Sequence, residues 1–403
     1  MTRSLRAARL ATFAYFALNG FVLGIWIVHI PAVEHRAGIS HAVLGWLLLL
    51  LGAGAFAGMQ LVGPLTDRFG ARKVVPLSAA LCSVALVLPA LAANAWTLGV
   101  ALLAFGIGNG SLDVSMNTHA VQVEARYKRP IMSAFHAVFS IGGVLAALVG
   151  ARTLSWGWST TATLAAASLL ALAITAVVAP ALLQRPEAAS APERSTAKAT
   201  TWRTTPLRIW ALAALALMLM LSEGVANDWS VLAMRDVLDA PAATAALAYG
   251  AFATAMTIGR FLTDRAAARF GPVAIVRYGS ALAALALTMV ALSPSIPLAI
   301  AGWVLFGIGL SGTIPQLFSA AGHANPNAAG ANVSRVAGLG YLGMLAGPAI
   351  IGPLTHLTPL NYTFFLPVAF CVVATLTADV LRSKAEDPQP QVADLPAASV
   401  HTI

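Results

Sequence analysis

Three polar side chains, Asn109, Asp113 and Asn117, recur at four-residue intervals inside a long apolar run. On a helix that spacing lines one face. A carboxylate surrounded by hydrocarbon is costly, so it is expected to face a cavity or a polar partner and to carry function. The next apolar run offers a second polar face, made of Ser133, His136, Ser140 and Gly143. If the two runs are consecutive antiparallel helices, Asp113 and His136 lie at similar depth. A buried carboxyl beside an imidazole can exchange a proton near neutral pH. The same pair could instead be a polar contact that only orients two helices.

Half a chain later, Glu223-Gly224-Val225-Ala226-Asn227-Asp228-Trp229 interrupts another apolar run. Glu223 and Asn227 share a helix face, and Gly224 is expected to loosen the helix beside a site. Asp228 and Trp229 fall near the end of the run, where tryptophan commonly anchors a helix at the membrane surface. Weaker candidates for a solute-lined cavity are Tyr15, Asn19 and Trp26 in the first run, Tyr249 in the eighth, and Gly312, Gln316 and Ser319 in the tenth. Arg260, also in the eighth and nearer the cytoplasm, is a further weak candidate, with the alternative that it simply reaches the membrane surface.

The elements that must position these groups follow from composition. Hydrophobic residues make up 59% of the 403 positions and charged residues only 10%, too little charge to cover a soluble protein of this size. Apolar runs long enough to cross a bilayer fall at roughly 10–30, 41–64, 74–93, 96–119, 131–151, 158–183, 207–231, 242–262, 272–292, 297–320, 334–355 and 360–381. With alternate loops assigned to the cytoplasm from the N-terminus onward, all of the 24 lysines and arginines except Arg36, Arg152, Arg235 and Arg260 fall inside. That asymmetry places both termini in the cytoplasm. It also explains the net charge of +9 as a topology signal rather than a nucleic-acid footprint. Cys82 and Cys371 lie inside apolar runs and are expected to pack as small hydrophobes. The basic N-terminus is read as the start of a retained first helix rather than a cleaved signal.

The charged segment Gly63-Pro64-Leu65-Thr66-Asp67-Arg68-Phe69-Gly70-Ala71-Arg72-Lys73 joins the second and third runs. Thr263-Asp264-Arg265 with Phe270-Gly271 repeats it, and Phe105-Gly106-Ile107-Gly108 repeats as Phe306-Gly307-Ile308-Gly309, both roughly 200 residues on. Two features matched at one offset indicate two parallel repeats of six helices. The chain therefore resembles the major facilitator superfamily, over nearly its whole length. That resemblance implies that Asp67 meets the start of helix 11, with Arg335 an additional partner. Gly63, Arg68, Gly70, Arg72 and Lys73 would complete a conformational gate, with Asp264 and Arg265 its second copy. Asp113-Val114-Ser115-Met116-Asn117, the segment Ile131 to Ser140, and Glu223-Gly224 with Asp228-Trp229-Ser230 look like the MosC-like, rhizopine-associated branch, and more distantly the fucose–proton symporters. Drug–proton antiporters usually carry Gly-Pro in helix 5. Here Gly-Pro pairs stand in helix 11 instead, at Gly347-Pro348 and Gly352-Pro353.

The fold expected is an all-α polytopic membrane protein. Residues 1–183 and 207–382 form the two six-helix bundles, 184–206 a cytoplasmic linker, and 383–403 a disordered tail. The function expected is secondary active transport of a small polar solute, such as a sugar, cyclitol or amino-sugar, across the inner membrane, with protons as coupling ion. Asp113, His136 and Glu223 are the candidates for proton and solute contact. Asn19, Trp26, Asn109, Asn117, Ser140, Asn227, Tyr249 and Gln316 are candidates for the cavity wall. The competing readings are proton-driven efflux of drugs or metabolites and a sensor without turnover. The sequence offers no phosphate-binding loop, nucleophile elbow or metal-ligand spacing. No enzyme, cofactor or metal is therefore expected, and the partners are solute, protons and membrane lipid around a monomer.

Overall fold

The computed structural model describes residues 3–39, 41–184 and 205–382. The linker and tail expected at 184–206 and 383–403 fall almost wholly outside the described residues. Among those residues the secondary structure is helical, without strands. The first bundle comprises α1 (Arg3–Ala37), α2 (His41–Phe69), α3 (Ala71–Ala85) with the short α4 (Leu88–Leu91), α5 (Ala95–Tyr127), α6 (Met132–Ser155) and α7 (Thr160–Val178). The second comprises α8 (Leu207–Leu238), α9 (Ala242–Ala291), α10 (Ile296–Leu310) with α11 (Thr313–Ala324), α12 (Ala329–Leu354), and α13 (Leu360–Thr363) with α14 (Phe365–Thr377).

Among the described residues, eleven helical segments are long and apolar enough to cross a membrane. One of them, Leu247–Ala291, is 45 residues long, about twice what a bilayer core needs. It contains two crossings. Gly271 interrupts α9 with φ 80° and ψ 163°. Ideal Cβ atoms on Gly307 and Gly309 would strike Phe252 and Ala283 respectively. Residues so far apart along α9 can both abut one turn of α10 only if the chain doubles back. The described residues therefore make twelve crossings. Gly70, between α2 and α3, has a closely similar φ of 83° and ψ of 144°. Only glycine adopts such angles without strain.

The paired Phe-Gly-Ile-Gly segments do the same work in each half. A Cβ on Gly106 would lie 2.1 Å from the Leu51 carbonyl oxygen, and one on Gly307 would lie 2.4 Å from that of Phe252. Close backbone approach of this kind replaces the hydrophobic drive that helices lack in lipid. Side chains such as Trp46, Leu61, Val177, Leu285 and Leu376 point outward, as a lipid-facing belt requires.

Local signals set the helix ends. Asn94 Oδ1 accepts from Thr97 N–H at 3.0 Å and Asn94 N–H donates to Thr97 Oγ1 at 3.3 Å, a reciprocal cap that starts α5. Ser159 caps α7 by accepting from Ala162 N–H at 3.2 Å. One expectation about helix continuity is corrected. Gly224 does not loosen its helix: α8 runs unbroken, and the glycine lets α12 approach, since a Cβ would lie 2.9 Å from the Met344 carbonyl oxygen. The discontinuities lie instead at Leu86–Val87, between α3 and α4, and at Ser311–Gly312, between α10 and α11.

Candidate functional site

The bundles meet along two seams, α2 on α12 and α6 on α9, each closed near the terminal face of the protein by a carboxylate on a helix start. Asp67 accepts from Gly330 N–H at 2.7 Å and Ala331 N–H at 2.9 Å, the first turn of α12. Asp264 accepts from Ser133 N–H at 3.0 Å and Ala134 N–H at 2.7 Å, the first turn of α6. A helix start presents unpaired N–H donors and positive partial charge, so a carboxylate is a fitting cap. Buried Arg335 lies within the electrostatic reach of Asp67. In both copies a threonine one residue earlier bonds back to its own helix, Thr66 to Val62 and Thr263 to Gly259. In both, an arginine covers the adjacent ring, Arg68 over Phe69 at 5.1 Å and Arg269 over Phe270 at 5.3 Å. The second copy thus has one extra helical turn between Asp264-Arg265 and Arg269-Phe270-Gly271. Lys73 and Arg265 are exposed and Arg72 half-buried.

The start of α6 has a second cap. Glu124 accepts from Ile131 N–H at 3.0 Å and Met132 N–H at 2.8 Å. Together Glu124 and Asp264 satisfy four consecutive N–H groups. Ser319 on α11 donates to the other oxygen of Glu124, and His323 Nδ1 stands 4.0 Å from that oxygen, so this carboxylate also bridges the bundles. Gln316 lines the adjoining cavity of about 450 Å³, with Arg208 and Ser319.

Deeper between the bundles lies a polar cluster. Asn117 Nδ2 donates to the Asp113 carbonyl at 2.9 Å and to Asp113 Oδ1 at 3.3 Å. Asn117 Oδ1 stands 3.2 Å from His136 Nε2. Asp113 and His136 are therefore linked through Asn117 rather than in direct contact. The imidazole packs between Phe16 and Phe318, at 5.2 and 5.9 Å between ring centroids. One turn along α6, Ser140 accepts from Arg260 Nη1 at 2.9 Å. Arg260 Nη2 stands 3.5 Å from Glu223 Oε1. Tyr341 on α12 lies within electrostatic reach of both Asp113 and Glu223. Asp113, Asn117, His136 and Ser140 come from the first bundle, Glu223, Arg260 and Tyr341 from the second.

Buried polar atoms lacking a hydrogen-bond partner among the described residues include Asn19 Oδ1, Asn109 Oδ1, Asp113 Oδ2 and Gln316 Nε2. Unpaired buried polar atoms are expensive, and they recur where a ligand or water completes the set. The other candidates lie elsewhere. Trp26 is 2% exposed and packs on Phe105 at 6.2 Å, as a core residue does. Asn227 and Tyr249 are exposed. Of the two readings open for Arg260, the side chain turns into the cluster and does not reach for the membrane surface. Glu124 and Tyr341 were not singled out in the sequence. The signal for Glu124 was an acid seven residues ahead of a helix start. By contrast, His119 is fully engaged with Thr12 Oγ1 and Leu183 N–H, each at 3.0 Å, a structural role.

Twelve crossings in two repeats, clasped at one face and polar between the bundles, define a membrane transporter architecture. The chain belongs to the Major Facilitator Superfamily, whose sequence profile matches residues 10–227 and again 212–401. It is 33% identical to an uncharacterized transporter of Sinorhizobium fredii over 369 residues, 92% of this chain and 97% of the relative. It is 29% identical to the membrane protein MosC of Rhizobium meliloti over 376 residues, 93% and 90% of the two chains. Its fold is similar to that of the Escherichia coli fucose:proton symporter FucP in the outward conformation, with a TM-score of 0.78 and 15% identity over 94% of this chain and all of that one.

Proposed function

We propose that the protein is a proton-coupled secondary transporter of a small hydroxyl- or amine-bearing solute, working by alternating access. The observation that carries this reading is the central cluster. It sets Asp113, Asn117 and His136 of one bundle beside Glu223 and Arg260 of the other, linked where Arg260 bonds Ser140, with buried acceptor atoms still unpaired. Three of those atoms, Asn19 Oδ1, Asn109 Oδ1 and Asp113 Oδ2, are acceptors, which suits a ligand rich in O–H or N–H donors. Asp113 and Glu223 are the proton-carrying groups, and His136 orients the first of them through Asn117. The positive-inside distribution supports a cytoplasmic terminal face in the bacterial plasma membrane. The carboxylate clasps then close the cytoplasmic side, leaving the solute path to open outward. FucP, described as a fucose:proton symporter, supports both the solute class and the coupling ion.

The test begins with a thermal-shift screen of sugars, cyclitols and amino-sugars at pH 5.5 and 7.5, because a ligand of the folded state raises its apparent stability. The solute found is then used in proteoliposomes. Asp113→Asn and Glu223→Gln are expected to abolish accumulation driven by a pH gradient while leaving insertion intact. Full accumulation by both variants would sink the reading, and stabilisation only by lipophilic cations would replace it with efflux.

A further inference from the structure

Arg260 joins three things that the transport reading leaves separate: a carboxylate of the second bundle, a hydroxyl of the first, and the clasp one turn further along its own helix. It sits four residues before Asp264 on α9, about 6 Å along the axis and on the same face. Asp264 holds the first turn of α6. Arg260 reaches the same helix about two turns deeper, at Ser140, and extends its other nitrogen toward Glu223 on α8. α9 is thus fastened to α6 at two depths, and only the deeper fastening includes an ionisable group of the central cluster.

The fork geometry of a guanidinium lets it serve both partners at once. Its side chain is 15% exposed and that of Glu223 16%, so neither charge is screened as a surface charge would be. Leaving one such charge without its partner is strongly unfavourable. We propose that Arg260 is the coupling residue: protonation of Glu223 removes the counter-charge that holds Arg260 against Ser140, and the α6–α9 seam opens. This rests on the proton-coupled reading for Glu223 and adds the route from that proton to the gate.

The groups facing Glu223 define what else could respond to pH. They are Arg260 on α9 and Tyr341 on α12, with Asp113 on α5 acting on the same tyrosine. His136 on α6 lies in the field of Arg260. Its protonation would push Arg260 away as well, so His136→Gln is a necessary control. At the seam itself Asp264 and Glu124 are the carboxylates.

The distance measurement needs no solute. Cys82 and Cys371, both buried, are replaced by alanine, and spin labels are placed at Arg129→Cys and Arg269→Cys, two exposed positions on either side of the seam. Distance distributions are measured between pH 5 and pH 8.5. The expected result is a longer distance at low pH in the parent. Glu223→Gln should show the low-pH distribution at every pH. Arg260→Gln should lose the pH response altogether, and Arg260→Lys should retain part of it. His136→Gln should still respond. A normal pH response in Arg260→Gln, loss of the response in His136→Gln, or a parent whose distances ignore pH would each overturn the proposal. Asp264→Asn, open throughout, verifies that the labels read the seam. If proton-driven uptake survives Glu223→Gln, the transport reading fails. If uptake needs Glu223 but the seam ignores Arg260, only the coupling fails.

Discussion

The two seams between the bundles use the same clasp and differ one turn deeper. Four residues before Asp67 stands Gly63, and four before Asp264 stands Arg260. On the α2–α12 side the backbones touch. A Cβ on Gly63 would lie 2.6 Å from Ser334 Cβ and 2.7 Å from the Gly330 oxygen, and Gln60 Nε2 bonds the Ser334 carbonyl at 3.1 Å. On the α6–α9 side a guanidinium spans the gap to Ser140 and Glu223. The duplicated scaffold therefore supplies two closures. Beyond the carboxylate clasp that both share, one closure rests on shape and the other on charge, so the second carries an added ionisable pair at that depth.

At that deeper level, shape changes should cripple the first seam and charge changes the second. The largest effect is expected from Gly63→Leu, which cannot be seated without separating α2 from α12. Spin-label distances across the terminal face should stay long at every pH, and transport should be lost. Normal closure would refute the close-contact account. Next come Asp67→Asn and Asp264→Asn. Hydrogen bonds to a charged group contribute about 1.5–3 kcal/mol, so each change should shift the closed-to-open ratio roughly tenfold to a hundredfold, read from the same distances. Ser140→Ala removes one partner of Arg260 and leaves the Glu223 pair. It should cost only about 0.5–1.5 kcal/mol and blunt the pH response, because Ser140 is where Arg260 grips the first bundle. Tyr249→Phe, at an exposed position, should change transport by less than about twofold. A large loss would move that tyrosine into the solute path.

The repeat and the four-residue spacing of Asn109, Asp113 and Asn117 made the fold and half of the central cluster legible before any coordinates. The clasp partner of Asp67 followed from family resemblance. Its twin at Asp264 followed from the repeat. Two of the groups that the sequence hid share one physical cause. Apolar runs end where charge begins, but these helices do not. The fifth helix continues to Tyr127, which carries Glu124 in as a buried group, and the first arm of α9 continues to Phe270, which moves Arg260 well inside the span. Both residues looked terminal because their charges are hidden between bundles rather than exposed to water. The bridging role of Asn117 was hidden for another reason. Two faces at equal depth do not say which amide stands between them, since that depends on the rotation of α5 against α6.

The glycine turn in α9 has a consequence for how this protein is made. A stretch of 45 apolar-rich residues meets the insertion machinery as one continuous hydrophobic signal, and a straight helix of that length would overshoot the bilayer. With the reversal at Gly271, and with Arg265 and Arg269 held back at its tip, the stretch can enter as a single hairpin that delivers two crossings at once. The charged residues beside the Asp264 clasp then also decide, during biogenesis, which side of the membrane the hairpin tip occupies.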